Sequence, residues 1–478
     1  GSACTPRHVG RGARPGALAS ADWPMCKPGL DVRPRAAYRC LLPGAASCNV
    51  VECFGPLQDA YVSGGHTLGA GAFGSVFVAQ SRAMGVRRAA KHVPHWRDRQ
   101  DHFKGAVGHK HEAELLASFD HPNIVKVFEV FEDKEQMVMV MEACEGGDLD
   151  QYLRQVGRAS CPDLLSVLRQ ALYATSYLHG RRIMHRDLKL ANLLLLGRGP
   201  LAGNLVKVAD FGLSCAFEDG EVQLKKVGTL RYFSPEVASG RYDHASDVWS
   251  LGVCAYALLS GTMPFVAKRE DDVLAKIKRG NFVLSGPLWD GIPPAAKNLV
   301  RDLLRFSPEE RLTAKAAFQV LSGPTPPRPP HRCTGLTFAE SLEVFHRMEP
   351  LRRAAFRALA WHALDPGLQG HAVRFMALDC DGDGRLSEEE LHAMLSSDCP
   401  ERMTPQEERH AARAMQIASA VAPLDFTDFL VLRLGESLCC QRAIYGAAFR
   451  SLDRDGDGRI SAADLAGPPP PPSAADAA

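Results

Sequence analysis

Two short blocks constrain this 478-residue chain more than any other feature: His185-Arg186-Asp187-Leu188-Lys189-Leu190-Ala191-Asn192 and, further on, Asp210-Phe211-Gly212. Asp187 is suited to accept a hydroxyl proton and Lys189 to neutralise a transferring phosphoryl group. Asn192 and Asp210 offer the few hard oxygens that magnesium takes alongside substrate phosphates. The spacing suits a short hairpin that returns the second block to the first. Around them, from Tyr61 to Leu321, strand-like runs such as Val76-Phe77-Val78 and 125–130 alternate with helical patterns, which predicts one sizeable α+β domain.

Upstream lies Leu68-Gly69-Ala70-Gly71-Ala72-Phe73-Gly74-Ser75-Val76, a GxGxxGxV run whose missing side chains let backbone amides approach phosphates. Alone it would fit a bare Gly-rich hairpin or a dinucleotide fold equally well. Ala89-Ala90-Lys91 on the next strand-like run decides between them, because it places an ammonium within reach of α- and β-phosphates. A carboxylate on the following helical stretch would hold Lys91 in place; Glu112 is the candidate and Glu114 its rival. Taken together in this order, residues 61–321 resemble a complete eukaryotic protein kinase domain.

That resemblance implies a two-lobed fold with ATP in the interlobe cleft. It implies that Leu68, Gly69, Gly71, Gly74, Val76 and Ala89 line the nucleotide site with Lys91. It further implies Met141 as gatekeeper, Glu142 to Cys144 as the adenine-contacting backbone, Asp148 near the ribose, and a Glu236–Arg311 pair. Lys189 with Thr229 resembles the serine/threonine class, so the expected substrates are proteins with Ser or Thr acceptors. Between Asp210 and Thr229 the only hydroxyl is Ser214, whereas Glu218, Asp219 and Glu221 are acidic. One of these carboxylates is expected to pair with Arg186 in place of a phosphate, giving activity without activation-loop phosphorylation; a merely solvated acidic loop is the rival.

The second half carries a different chemistry. Asp379-Cys380-Asp381-Gly382-Asp383-Gly384-Arg385-Leu386-Ser387-Glu388-Glu389-Glu390 meets the EF-hand template. Carboxylates from Asp379, Asp381 and Asp383, the Arg385 carbonyl and a bidentate Glu390 would surround Ca²⁺, with Gly384 permitting the turn. A second acidic loop, 453–464, repeats Asp453, Asp455, Asp457 and Arg459 but ends in Asp464, whose shorter arm predicts weaker calcium or a magnesium preference. Between them 417–428 fits a degenerate hand, with Ile417, Ser419 and Val421 at ligand positions and Ala422 replacing the glycine; it is expected to keep its helices without an ion. The order resembles the calcium-dependent protein kinases of plants and protists over residues 61–465: an α+β two-lobed protein kinase fold followed by an all-α EF-hand module. Members of that family usually carry four hands, and here Gly467 and the prolines after it leave no room for a fourth loop, so the expectation is either an unpaired third hand or an incomplete gene product.

The expected divisions are a loosely ordered leader at 1–55, the catalytic domain at 61–321, a Pro-rich linker at 322–339, a basic junction helix at 340–365, the EF-hand module at 366–466 and a Pro-rich tail at 467–478. Within the junction, Pro350-Leu351-Arg352-Arg353-Ala354-Ala355-Phe356 looks like a phosphorylation sequence with alanine at the acceptor, although a solvated helix face would account for the arginines. By resemblance it would occupy the cleft until calcium withdraws it. The competing readings are a constitutive kinase whose hands only dock partners, and an inactive scaffold. With 46% apolar residues and a net charge of +1, the composition offers no argument for nucleic acid, and no apolar run reaches the roughly 20 residues of a bilayer span. Fourteen cysteines without a CxxC pair argue for reduced thiols in the cytoplasm and against zinc. Gly1 fits myristoylation if an initiator Met is removed, and Cys4 palmitoylation, which would add membrane attachment; a cloning remnant fits as well. A monomer using ATP, Mg²⁺ and Ca²⁺ is expected.

Overall fold

Short runs rich in valine and other apolar residues build the smaller lobe as one sheet. The computed structural model describes residues 37–41, 49–71, 74–94, 106–133, 136–323, 338–363, 367–397 and 405–466. Its strands are β1 (Ala37–Cys40), β2 (Val51–Phe54), β3 (Tyr61–Gly71), β4 (Gly74–Ser81), β5 (Arg87–Pro94), β6 (Val127–Glu132) and β7 (Gln136–Met141), in the spatial order β1-β2-β6-β7-β5-β4-β3. A one-turn helix, α1 (Leu57–Ala60), leads into β3, and α2 (Ala106–Ala117) packs near β6.

The expected loose leader is therefore corrected over its last part. β2 runs parallel to β6 with Val51 opposite Glu129 and Cys53 opposite Phe131, and it buries Val51 and Cys53 against Tyr61, Ala90 and Val138. Burial of these apolar side chains, each stabilising by about 1.5–3 kcal/mol when complete, gives the segment a reason to order that its Gly- and Pro-rich surroundings hide. Gly1, Cys4 and both proline runs beyond Gly323 lie outside the described residues.

The larger lobe is helical: α3 (Leu149–Val156), α4 (Cys161–Gly180), α5 (Pro235–Ser239), α6 (Ala245–Ser260), α7 (Glu270–Arg279), α8 (Pro294–Leu303) and α9 (Ala314–Ser322). Two small ribbons, β9 (Leu193–Leu195) with β10 (Val206–Val208) and β8 (Ile183–Met184) with β11 (Cys215–Ala216), carry the catalytic blocks between these helices. Local chemistry sets the helix ends. Ser160 caps α4 by accepting from the Asp163 amide, while α7 opens on Glu270, Asp271 and Asp272 and closes on Lys276, Lys278 and Arg279, with left-handed Gly280 beyond. The pairwise packing of α4 with α6 and α9 makes α4, buried along most of its length, the axis of this lobe.

After the linker come α10 (Phe338–His346), α11 (Pro350–Trp361), α12 (Leu368–Leu378), α13 (Glu388–Ser397), α14 (Pro405–Val421), α15 (Phe426–Leu434), α16 (Tyr445–Leu452) and α17 (Ala462–Ala466). The junction is thus two helices, broken ahead of Pro350, whose preceding residue is disfavoured in helical conformation. The first hand, α12–loop–α13, pairs with α14–α15 through an antiparallel bridge between Leu386 and Leu424, the eighth positions of loops 379–390 and 417–428. The degenerate loop keeps that bridge, but its first five positions, expected as loop, continue α14 as helix. Without carboxylates or a glycine, nothing there opposes the helical preference of Ile417, Ala418 and Ala420, and the chain turns only before Pro423.

Candidate functional site

The catalytic cluster is assembled from widely separated stretches of the chain. Lys91 on β5 donates to Glu112 of α2 at 2.7 and 2.9 Å and to Asp210 at 3.1 Å, so Glu112 and not Glu114 is its partner. Burial alone would lower the Lys91 ammonium, but the Glu112 and Asp210 charges outweigh it and hold the group above its usual range. Asp187 accepts from Lys189 at 2.5 Å and from the Thr229 hydroxyl at 2.7 Å, and Lys189 also reaches Thr229 at 3.2 Å. Asn192 donates through Nδ2 to the Asp187 carbonyl at 2.8 Å, which leaves its amide oxygen as the acceptor atom for a cation. Asp210 sits at a φ of +65° and Arg186 at +67°, left-handed conformations held by their surroundings. Buried Asp247 of α6 anchors the loop by accepting from the His185 and Arg186 amides at 2.8 and 2.9 Å.

The glycine hairpin and the connection between the lobes complete the cleft. Gly74 has a φ of +124°, and a Cβ there would lie 1.9 Å from the His92 carbonyl oxygen, so only glycine fits. Val76 pairs with Lys91 and buried Ala89 with Met141, while Leu68 is exposed at the lip beside Gly69 and Gly71. The Glu142 side chain is taken by Lys207 at 2.8 Å. Cys144 is buried, which pushes its thiol up to about 12, the Glu142 charge adding to the effect. Asp148 caps α3 by accepting from the Gln151 amide at 2.8 Å, and Arg311 donates to Glu236 at 2.6 and 3.2 Å.

The activation segment corrects one expectation. Arg186 donates to the Leu213 carbonyl at 2.6 Å, whereas Asp219 pairs with Arg182 at 2.6 Å and Glu221 accepts from the Glu218 amide. The acidic run therefore closes on a neighbouring arginine, because the left-handed turn at Arg186 directs its guanidinium to the backbone after Gly212.

Both acidic loops gather their oxygens. The carboxylates of Asp379, Asp381 and Asp383 lie within 4.8 Å of one another, as do those of Asp453, Asp455 and Asp457. Glu390 accepts from the Cys380 amide at 2.6 Å and the Ser387 amide at 3.0 Å, and Asp464 accepts from the matching amides of Arg454 and Ser461 at 3.0 and 2.7 Å. The shorter Asp464 thus spans its loop as Glu390 does. The amides of Arg385 and Arg459 donate to Asp383 and Asp457, both at 2.7 Å. A hard-oxygen set of this kind fits a calcium ion. Burial, with the Glu390 and Asp383 charges, pushes the Asp379 carboxyl up to about 8, the crowding of negative charge that a divalent cation relieves.

Known proteins share both halves. The family model described as protein kinase domain matches residues 62–321, and that described as EF hand matches 372–395 and 446–466. Calcium-dependent protein kinase 3 of Plasmodium yoelii yoelii is 30% identical over 429 residues, covering 87% of this chain and 76% of that protein. The chain belongs to the calcium-dependent protein kinases. Calcium-dependent protein kinase 17 of Arabidopsis thaliana is likewise 30% identical over 418 residues, with 86% and 77% covered, and calcium-dependent protein kinase 5 of Plasmodium falciparum (isolate 3D7) is 29% identical over 423, with 86% and 71% covered. The chain is accordingly a Ca²⁺-regulated serine/threonine protein kinase.

In this calcium-dependent protein kinase the junction is docked on the EF-hand module instead of in the catalytic cleft. α11 buries Phe356, Leu359 and Trp361 where it packs on α15 and α16. Arg357 bridges to Asp425 at 2.8 Å and to Asp428, and the Lys126 ammonium stands 4.3 Å above the Trp361 ring. Arg353, expected to imitate a substrate arginine, lies over the Phe345 ring and donates to the Phe345 carbonyl at 3.0 Å; Arg352 lies over Phe356. The amphipathic spacing that suggested a cleft ligand equally suits a groove between hands, and the apolar area available there decides. Sequence reading also missed the half-buried Arg450–Glu129 pair at 2.6 Å, which ties α16 to β6, and the kinase side chains beneath the first acidic loop. Charged residues in unremarkable helices carry no local signal of such partners.

Proposed function

We propose that this kinase transfers the γ-phosphate of ATP to serine or threonine hydroxyls of protein substrates, and that calcium controls access to the cleft by deciding where α10 and α11 reside. In the docked arrangement the cleft is open to substrate. Loss of calcium would loosen the hands, release the junction and let its arginines enter the cleft. The observation that carries this reading is the burial of α11 against α15 and α16, secured by Arg357 on Asp425 and Asp428. Asp187, oriented by Thr229 and Lys189, takes the hydroxyl proton, and Lys91, fixed by Glu112, holds the nucleotide phosphates. Magnesium held by Asn192 and Asp210 would neutralise charge on the phosphate oxygens. The setting proposed is the cytoplasm, where thiols such as buried Cys53 and Cys254 stay reduced, with the chain acting as a monomer.

The test is phosphorylation of a serine peptide in chelator and in saturating Ca²⁺, comparing the natural chain with Glu390→Gln and with a deletion of 340–365. Calcium should activate the natural chain, Glu390→Gln should respond poorly, and the deletion should be active in chelator. Equal rates for the natural chain in both conditions would refute the switch.

A further inference from the structure

The first calcium loop rests on the catalytic domain itself. Asp379, its first-position carboxylate, has no solvent exposure, and neither does Tyr173 on α4, whose hydroxyl donates to Asp379 Oδ2 at 2.6 Å. The other contacts to that carboxylate come from the loop: Gly384 N to Oδ2 at 2.7 Å, and Gly382 N and Asp383 N to Oδ1 at 2.7 and 3.2 Å. Lys315 on α9 donates to Asp381 Oδ2 at 3.0 Å, at a half-exposed position. The loop backbone is seated as closely. A Cβ on Gly384 would meet a Tyr177 ring carbon at 2.3 Å, and one on Gly382 would meet Phe318 at 2.9 Å and the Ser176 hydroxyl at 3.3 Å. At Gly458, the equivalent of Gly384 in the other acidic loop, nothing among the described residues lies within 4 Å of a Cβ placed there.

We propose that the first calcium site is shared between the two domains: Tyr173 of the kinase domain orients the Asp379 ligand from outside the coordination shell, and Lys315 opposes the ion through Asp381. The inference rests on the reading that loop 379–390 holds calcium. A donor that fixes a ligating carboxylate makes it a better ligand, and losing such a partner weakens metal binding by about 10–100-fold. Lys315 acts in the opposite sense, since its ammonium competes with the cation for Asp381, and its exposure limits the effect. By linkage, whatever factor docking on α4 contributes to calcium affinity, calcium contributes equally to docking. The kinase domain therefore takes part in setting the calcium threshold of its own switch.

The experiment is calorimetric titration of Ca²⁺ into the full chain with loop 453–464 silenced by Asp455→Asn and Asp457→Asn, so that one site is read. Tyr173→Phe should raise the Kd about tenfold, and Lys315→Gln should lower it about twofold. Far-UV circular dichroism and peptide phosphorylation at saturating Ca²⁺ establish that each variant is folded. Absence of any uptake that Glu390→Gln abolishes would remove the underlying reading of the loop. Uptake that depends on Glu390 but is unchanged in both variants would overturn the shared site alone, and so would a loss of affinity in both, which signals general loosening.

Discussion

The two acidic loops are nearly the same object in different surroundings. Gly384 and Gly458 have φ values of +81° and +84°, and Glu390 and Asp464 accept from matching backbone amides. In loop 379–390 Asp379 meets Tyr173 while Gly384 and Gly382 sit against Tyr177 and Phe318 of the large lobe, whereas in loop 453–464 Asp455 and Asp457 are exposed and nothing among the described residues stands over Gly458; the first aspartate is buried in both. The second of these hands touches the catalytic domain through its entering helix, where Arg450 pairs with Glu129 on β6, which also accepts from Tyr61 at 2.5 Å. The same ion-binding chemistry is therefore coupled to the large lobe by the loop itself in one hand, and to the small lobe by a helix in the other. What a calcium ion can move depends on what the loop rests on, not on the loop.

The largest effect expected is from Glu390→Gln. Removal of a bidentate ligand charge should weaken the first site by more than about 100-fold, beyond the range of outer-shell changes, with calcium-stimulated peptide phosphorylation lost in parallel; Asp464→Asn should leave most of that stimulation. If the two substitutions prove interchangeable, the contrast between the hands fails. Next, Arg450→Ala should destabilise the chain by about 1–3 kcal/mol, because the buried Glu129 loses its charged partner and keeps the Tyr61 hydroxyl. Denaturant unfolding would read this, and calcium affinity at loop 379–390 should stay near its original value.

Alanine at the two turn glycines separates strain from contact. Gly458→Ala should cost about 1–2 kcal/mol from its left-handed backbone alone. Gly384→Ala should add about 1–3 kcal/mol for the collision with Tyr177, visible as a lower melting temperature in Ca²⁺. Equal losses at both positions would mean that the first loop does not rest on α4.

The smallest effect concerns Asp120, which accepts from the Thr427 amide where α15 meets the catalytic domain. Burial, with the Asp425 charge, pushes its carboxyl up to about 7. A carboxyl raised above its unfolded value near 4 supports the folded state fully below that value, and the support is lost as pH climbs through 7. Asp120→Asn keeps an acceptor without the charge, so the variant should melt higher than the natural chain at pH 8 and about equally at pH 4, by about 1 °C for each kcal/mol recovered in a chain of this length. A gap that does not widen with pH would show that Asp120 is ionised without strain at this interface.

The catalytic blocks and both acidic loops were legible in the sequence because their chemistry is local. Asp187, Lys189 and Asn192 lie within one turn of loop, and the three aspartates of each hand alternate along a few residues, so spacing alone brings their oxygens together. The fold class and the Lys91–Glu112 pairing were legible for a related reason: a lysine on one strand-like run and a glutamate on the next helix leave few candidates. Tertiary structure decided what depends on the path of the chain. It set β2 beside β6, sent Asp219 to Arg182, docked α11 on the hands and brought Tyr173 to Asp379 across 206 positions. A ligand set is written in neighbouring residues, whereas a docking contact is chosen by the apolar area and charge that two distant surfaces can cover together, and no short stretch of sequence contains both.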